Sequence, residues 1–169
     1  MAHALRPLSA DDMGDVTRIY NYYVAHTAIT FHIAPRTEAE VAAMLLYPEE
    51  SPFASYALTE AGTLVGYCAL VPFSNREAYA ITAELSLYLT PEARGKGYGQ
   101  AMLDFLEKEA ADRGFVALMG RVTAENTASI GLFEKNGYNR AGYFERVGYK
   151  FGKLLDVVVF QKVLKKENV

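Results

Sequence analysis

The 169-residue chain has one cysteine, three histidines and no surplus of positive charge, with 17 Lys and Arg against 20 Asp and Glu for a net charge of -3. Each shortage excludes something. A single thiol, Cys68, cannot close an internal disulfide, and its place in the apolar run TLVGYCALV predicts a buried, inert side chain. His3, His26 and His32 are too few and too unevenly spaced for a metal site, so no metal is expected. With no basic field, and no Lys/Arg run beyond local pairs such as Lys165-Lys166, nucleic acid is not an expected partner. No uninterrupted apolar stretch approaches the ~20 residues of a membrane span. The opening MAHALRPLS also lacks the charged-then-apolar pattern of a secretory leader. A cytoplasmic protein with no membrane partner is the expectation.

What is present is a chain with 51% hydrophobic residues, enough for one domain over residues 1–169 with a sizeable core. Ser9 with Asp12 three positions on resembles a helix cap, ahead of VTRIYNYYVA with apolar residues at helical spacing. Thr37 and Glu40 make a second capping box before Val41, Met44 and Leu45. SYALTE and TLVGYCALV flank Ala61-Gly62, which reads as a tight turn between paired strands. The strand 80–89 and the amphipathic helix 99–113, closed by Gly114, come next. FVALMGRV is another strand, ENTASIGLFEKN a helix ended by Gly137, and two strands follow around Tyr143 and Val157–Val159. Roughly seven strands and four helices, neither segregated nor strictly alternating, predict an α+β (mixed α/β) sandwich.

Between the strand ending at Leu89 and the helix stands TPEARGKGYGQ, with Gly95, Gly97 and Gly99. A glycine-rich turn at a helix start presents unpaired N–H groups and the positive end of the helix dipole, which suits a phosphate or pyrophosphate. A Walker loop would need Ser or Thr where Gly97 follows Gly95-Lys96. A dinucleotide fingerprint would need its third glycine where Gln100 stands. A nucleotide-binding protein thus has weak support, and affinity for ATP or NAD would reveal it.

Arg94-Gly95-Lys96-Gly97-Tyr98-Gly99 does fit Arg/Gln-x-x-Gly-x-Gly/Ala, and here the chain resembles the GNAT N-acetyltransferase superfamily. The strand, loop, helix, strand and ENTASIGLFEKNGY stand in that family's order. IYNYYVAHTAITF, TAELSLYLTPEARGKGYG and VGYKFGKLLDVVVFQ are similar to landmarks of its phosphinothricin and methionine sulfoximine acetyltransferase group, across essentially the whole chain. The resemblance implies a mostly antiparallel twisted sheet, acetyl-CoA as cosubstrate and a homodimer. It implies direct transfer, in a ternary complex, of acetyl to the primary amine of a small amino-acid-like acceptor. Carried onto this sequence, the coenzyme contacts are Leu87, Tyr88 and Leu89, the loop residues Arg94, Gly95, Lys96, Gly97, Tyr98, Gly99 and Gln100, and then Asn126 and Ser129. For Asn126 a helix N-cap is the plainer account, and both can hold.

Alternation in AELSLYL puts Glu84, Ser86 and Tyr88 on one face and Leu85, Leu87 and Leu89 on the other, which predicts one polar face and one core face. A glutamate inside a strand is either solvated or has chemistry to perform, and the resemblance makes Glu84 the general base. Where many relatives carry a Tyr or His as acid, this chain has Phe133, which cannot donate a proton. Tyr88 and Tyr138 are weak substitutes, and an acyl-CoA-binding protein without turnover is the alternative function. Around the acceptor the expected residues are Phe31, Phe73, Ser74, Arg76 and Glu84, with Tyr20 in the core. Ser74 and Ala80 stand where that group often has arginines, and Tyr149 where it has a basic residue, leaving Arg76 and Lys150 as possible cations. A less cationic, more aromatic acceptor pocket is expected, with poor specificity for phosphinothricin.

Overall fold

Two hydrophobic clusters lie on opposite sides of one seven-stranded sheet, and the alternation of the central strands assigns residues to them. Tyr67 and Ala69 of one strand enter the first cluster, while their neighbours Cys68 and Leu70 enter the second. The computed structural model describes residues 3–164; the Lys165-Lys166 pair lies outside them. In chain order the strands are β1 His3–Pro7, β2 Ala54–Glu60, β3 Thr63–Pro72, β4 Thr82–Leu89, β5 Ala117–Thr123, β6 Asn139–Lys150 and β7 Lys153–Val163. The α-helices among the described residues are α1 Met13–His26, α2 Glu38–Leu45, α3 Tyr98–Asp112 and α4 Thr127–Lys135. The sheet order is β1-β2-β3-β4-β5-β7-β6, and every pairing is antiparallel except β4 with β5.

Local chemistry explains the boundaries. Glu40 N donates to Thr37 Oγ1 at 3.2 Å and Thr37 N to Glu40 Oε2 at 2.8 Å, the reciprocal box that starts α2. Before α1 a short 3-10 turn, Ala10–Asp12, intervenes, and the Asp12 carboxylate accepts from Ser9 N at 2.9 Å and from both Arg6 Nη atoms. The Arg6 guanidinium holds the Asp12 carboxyl well below its usual range and ties β1 to the start of α1. Ala61 and Gly62, with φ of 49° and 82°, form the tight β2–β3 turn. The expected segment 80–89 enters the sheet only at Thr82, because Ala80 closes a 3-10 turn over Glu77–Tyr79. Strand β1 has no counterpart among the strands expected from sequence; its five residues pair with β2 from His3↔Glu60 to Pro7↔Tyr56.

Cys68 is fully buried, and burial pushes its thiol up, away from the reactive thiolate. Helices α1 and α2 cover the face holding Tyr67 and Ala69; α3 and the buried Phe133 of α4 cover the other. The crossover through α3 is what lets β4 and β5 run parallel.

Candidate active site

Strands β4 and β5 pair only at Thr82↔Ala117, Ala83↔Leu118 and Glu84↔Met119, although β4 continues to Leu89 and β5 to Thr123. Past Glu84 they part and leave a wedge. On its other edge β4 stays paired with β3 through Gly66↔Leu89, and Thr90 N donates to Val65 O at 2.8 Å. Because main-chain groups alternate edges along a strand, those of Leu87 and Leu89 turn into the wedge and those of Tyr88 toward β3. The Leu89 carbonyl accepts from Tyr23 Oη at 2.6 Å. Gly66 permits the close approach, since a Cβ there would lie 2.7 Å from the Tyr88 carbonyl oxygen.

The glycine loop follows directly. Gly95 and Gly97 have φ of 73° and 84°, left-handed values that favour glycine, and Gly97 caps α3. Nothing lies within 4 Å of a Cβ built on either, so conformation and not crowding by the protein requires glycine there. At Gly99 a Cβ would only touch Leu132 at 3.7 Å. The first intrahelical bond runs from Ala101 N to Gly97 O at 3.1 Å, leaving the N–H groups of Tyr98, Gly99 and Gln100 without helical partners. The side chains around them are occupied elsewhere. Lys96 Nζ and Tyr98 Oη donate to Glu60 at 3.2 and 2.6 Å, and Gln100 Nε2 to Asn136 Oδ1 at 2.7 Å. The Arg94 guanidinium lies 5.0 Å from the Tyr23 ring centre. What the loop offers a ligand is its backbone.

The wedge opens into a cleft of about 660 Å³. Glu84, Ser86, Leu87 and Tyr88 line it from β4, Arg121 and Thr123 from β5, and Asn126, Ser129 and Phe133 from α4 and its cap. The carboxylate of Glu84 is gripped by one guanidinium: Arg121 Nε donates to Oε1 at 2.8 Å and Nη2 to Oε2 at 2.5 Å. The side chain of Glu84 is 13% exposed and that of Arg121 is 53% exposed, so the pair opens to the cleft from the arginine side. The contact raises the Arg121 guanidinium above its ordinary value, keeping it charged. Each oxygen of Glu84 retains a lone pair for a second donor.

Other expected residues divide between the lining and its surroundings. Asn126 is the N-cap of α4, its Oδ1 accepting from Ser129 N at 3.2 Å and its Nδ2 donating to Ser129 Oγ at 2.8 Å, and both residues face the cleft. Phe31 lines it at 40% exposure, its ring occupying the space where a Cβ on Gly148 would sit. Phe73 instead packs with Met119, Val157 and Val159, and neither it nor Ser74 or Arg76 lines the cleft. Arg76 is exposed, following Ser74 in the loop that leads to β4. Lys150 is buried with Nζ donating to Thr30 O at 2.9 Å, and burial lowers its ammonium. Tyr138 is buried beside Phe133 and also lies outside the lining.

Two features depart from the sequence reading. The face carrying Glu84 and Ser86 is not wholly polar, because Tyr88 stacks on Tyr67 at 5.3 Å and packs on the α1 cluster. Burial raises its phenol above the ordinary value, so Tyr88 keeps its proton at neutral pH. Tyr20 is buried, yet its hydroxyl contacts Thr30 Oγ1 at 2.9 Å and His32 Nδ1, and all three residues line the cleft. Burial holds His32 below its ordinary value and therefore neutral at pH 7. Sequence reasoning missed Arg121 and Thr123; alternation in LMGRVT places them on one face, but nothing local says that this face meets Glu84. Among the described residues no group of three or more His, Cys, Asp or Glu could hold a metal ion.

Comparison with known proteins agrees with this geometry. The model of the acetyltransferase (GNAT) family matches residues 14–138. The phosphinothricin N-acetyltransferase of Streptomyces coelicolor is 32% identical over 167 residues, covering 95% of each chain. An L-methionine sulfoximine/L-methionine sulfone acetyltransferase of Pseudomonas paraeruginosa is 28% identical, covering 95% of this chain and 94% of that one. The crystal structure of a GNAT superfamily phosphinothricin acetyltransferase from Sinorhizobium meliloti, in complex with acetyl-CoA, superposes with a TM-score of 0.90 at 30% identity, covering 97% of this chain and 89% of that one. With a parting β4–β5 pair, a glycine-capped α3 and a family match over most of its length, the chain belongs to the GNAT family and is an acetyl-CoA-dependent N-acetyltransferase.

Proposed function

We propose that residues 1–169 form a single catalytic domain that transfers acetyl directly, in a ternary complex, to the primary amine of a small amino-acid-like acceptor. The observation that carries this reading is Glu84 at the point where β4 and β5 part, the sole carboxylate among the described residues lining the cleft. Family resemblance supports a homodimer in the cytoplasm that acts on a small molecule.

The pyrophosphate would meet the N–H groups of residues 97 to 100 at the positive end of α3, and the pantetheine arm would run along the Leu87 main chain toward Asn126 and Ser129. Acetyl-CoA supplies an activated acyl group as a thioester. The Leu87 N–H, turned into the wedge, would donate to the thioester carbonyl, and such a preorganised donor contributes about 3 kcal/mol as charge develops on the oxygen. Glu84 takes one proton from the acceptor ammonium, directly or through water, and frees the nitrogen lone pair. As the bond from nitrogen to the acetyl carbon forms, the C–S bond breaks. The second proton lost by nitrogen ends on the coenzyme sulfur. Phe133 cannot deliver it, but a thiol with an ordinary pKa near 8.5 is a competent leaving group with solvent as the donor.

Thiol release from acetyl-CoA with a panel of amines tests the reading. Amino acids with neutral side chains are expected as acceptors. Phosphinothricin, with a second acidic head, is expected well below the ~10⁵ M⁻¹s⁻¹ scale in kcat/KM. Tight coenzyme binding with no thiol release from any amine would instead mark an acyl-CoA-binding protein without turnover.

Gly97→Val tests the loop separately. A branched side chain at φ 84° has to leave the left-handed region, which turns the N–H groups of the cap away from the pyrophosphate. Coenzyme affinity should fall at least ~tenfold by calorimetry, about 1.4 kcal/mol. Unchanged affinity in a folded variant would remove the loop from the binding site.

A further inference from the structure

We infer that Arg121 is the receptor for the acceptor's carboxylate, so that the enzyme selects α-amino acids with neutral side chains. The inference rests on the N-acetyltransferase reading above and adds the residue that chooses the acceptor. Among the described residues lining the cleft, Arg121 is the sole lysine or arginine, and Glu84 is the sole carboxylate. The two cations suggested by the sequence are not available to a ligand there. Arg76 is in an exposed loop outside the lining, and Lys150 is buried against Thr30 O.

The guanidinium has an edge to spare. Glu84 occupies the Nε–Nη2 edge, and among the described residues no protein acceptor binds Nη1. A fork of five N–H donors can serve two carboxylates on two edges, and the free Nη1–Nη2 edge has the spacing of a bidentate carboxylate contact. That edge belongs to a side chain 53% exposed, on the same face as the Glu84 carboxylate.

The pair therefore presents opposite charges side by side to the acceptor. An α-amino acid carries its ammonium and carboxylate on one carbon, so the amine can meet the remaining lone pairs of Glu84 while the carboxylate docks on Arg121. This double contact also aims the nitrogen at the mouth of the wedge, where β4 and β5 part. The rest of the acceptor meets Phe31, Met44, Val71, Phe144 and Val147, an apolar wall without a second cation for an acidic side chain.

L-Methionine, L-leucine and their carboxamides distinguish the contact, because the amide removes only the anionic oxygens. Each is measured with the full chain by thiol release from acetyl-CoA, and by calorimetric titration in the presence of coenzyme A. The unmodified enzyme should prefer acid to amide by at least about tenfold in kcat/KM and in Kd. Arg121→Gln should bring both ratios to about one. Disturbance of Glu84 by the same substitution falls on acid and amide alike and cancels in the ratio. Arg121→Lys, which keeps the charge and loses the fork, should retain an intermediate preference. A preference that survives Arg121→Gln in folded protein, or an unmodified enzyme that binds both alike or neither, overturns the assignment. Acid-selective binding abolished by Arg121→Gln, but with no thiol release from any amine, would uphold Arg121 and overturn the acetyl-transfer reading instead.

Discussion

Glu84→Gln should lower turnover by about 10²-fold and leave the affinity for coenzyme A unchanged. The substitution preserves shape, and the amide oxygen can still accept from Arg121, so the cleft keeps its form while losing the group that takes the proton. The pH profile separates a lost base from a disturbed pocket. Without Glu84 the residual rate should keep rising with pH as free amine becomes available, whereas the unmodified enzyme levels off. Full activity of Glu84→Gln at neutral pH would place the base elsewhere.

Gly120→Val should strongly destabilise the scaffold of the cleft. A Cβ on Gly120 would stand 2.6 Å from Cζ of Phe133 and 3.0 Å from both Cε atoms. The ring can move only against its packing, because it stacks on Phe160 at 5.3 Å and meets Tyr138 edge-on at 4.9 Å. Overpacking of this kind costs about 3 kcal/mol. In a domain of this size that lowers Tm by roughly 6–12 °C. Since Phe133 also lines the cleft, its displacement should narrow the coenzyme arm's path and raise KM for acetyl-CoA. Adding Phe133→Leu should restore part of the stability. A Gly120→Val melt within a degree of the unmodified protein would show that the ring has room to move.

Gly120 also explains why the phenylalanine at the expected place of the acid is tied to this fold. The glycine opens a slot in β5 that the ring fills, and the ring's other face is apolar. A hydroxyl on that ring would enter the space against Gly120. The two tyrosines lining the cleft, Tyr20 and Tyr88, are instead packed in the α1 cluster with phenols raised by burial, poor acids at neutral pH.

Much of this was legible along the chain because it depends on local rules. The Thr37 box, the Ala61-Gly62 turn and the glycine cap of α3 are each decided within a few residues, by side chains that satisfy terminal N–H groups or by left-handed φ. Alternation in AELSLYL separated Glu84 from the leucines that face the α3 cluster, as it does in the fold. Strand β1 was not legible, since a five-residue edge strand with little apolar content is stabilised by its pairing with β2 and has no periodicity of its own.

The site's charge arrangement belongs to the tertiary structure. Arg121 stands 37 positions from Glu84, and they meet because the α3 crossover sets β5 parallel to β4 with Glu84 opposite Met119. Once the register is set, the period of two puts Arg121 on the same face, one step further along. Lys150 shows the converse: its residue type suggested a cation for the pocket, but β6 carries it under the 27–32 segment, where a carbonyl takes its donor. The sequence by itself determined the family and marked the glycine loop and Glu84 as the residues proposed for the coenzyme and the base, because each is written in contiguous residues. That Arg121 pairs with Glu84 in the cleft was decided only when a crossover and a parting of two strands brought distant residues together.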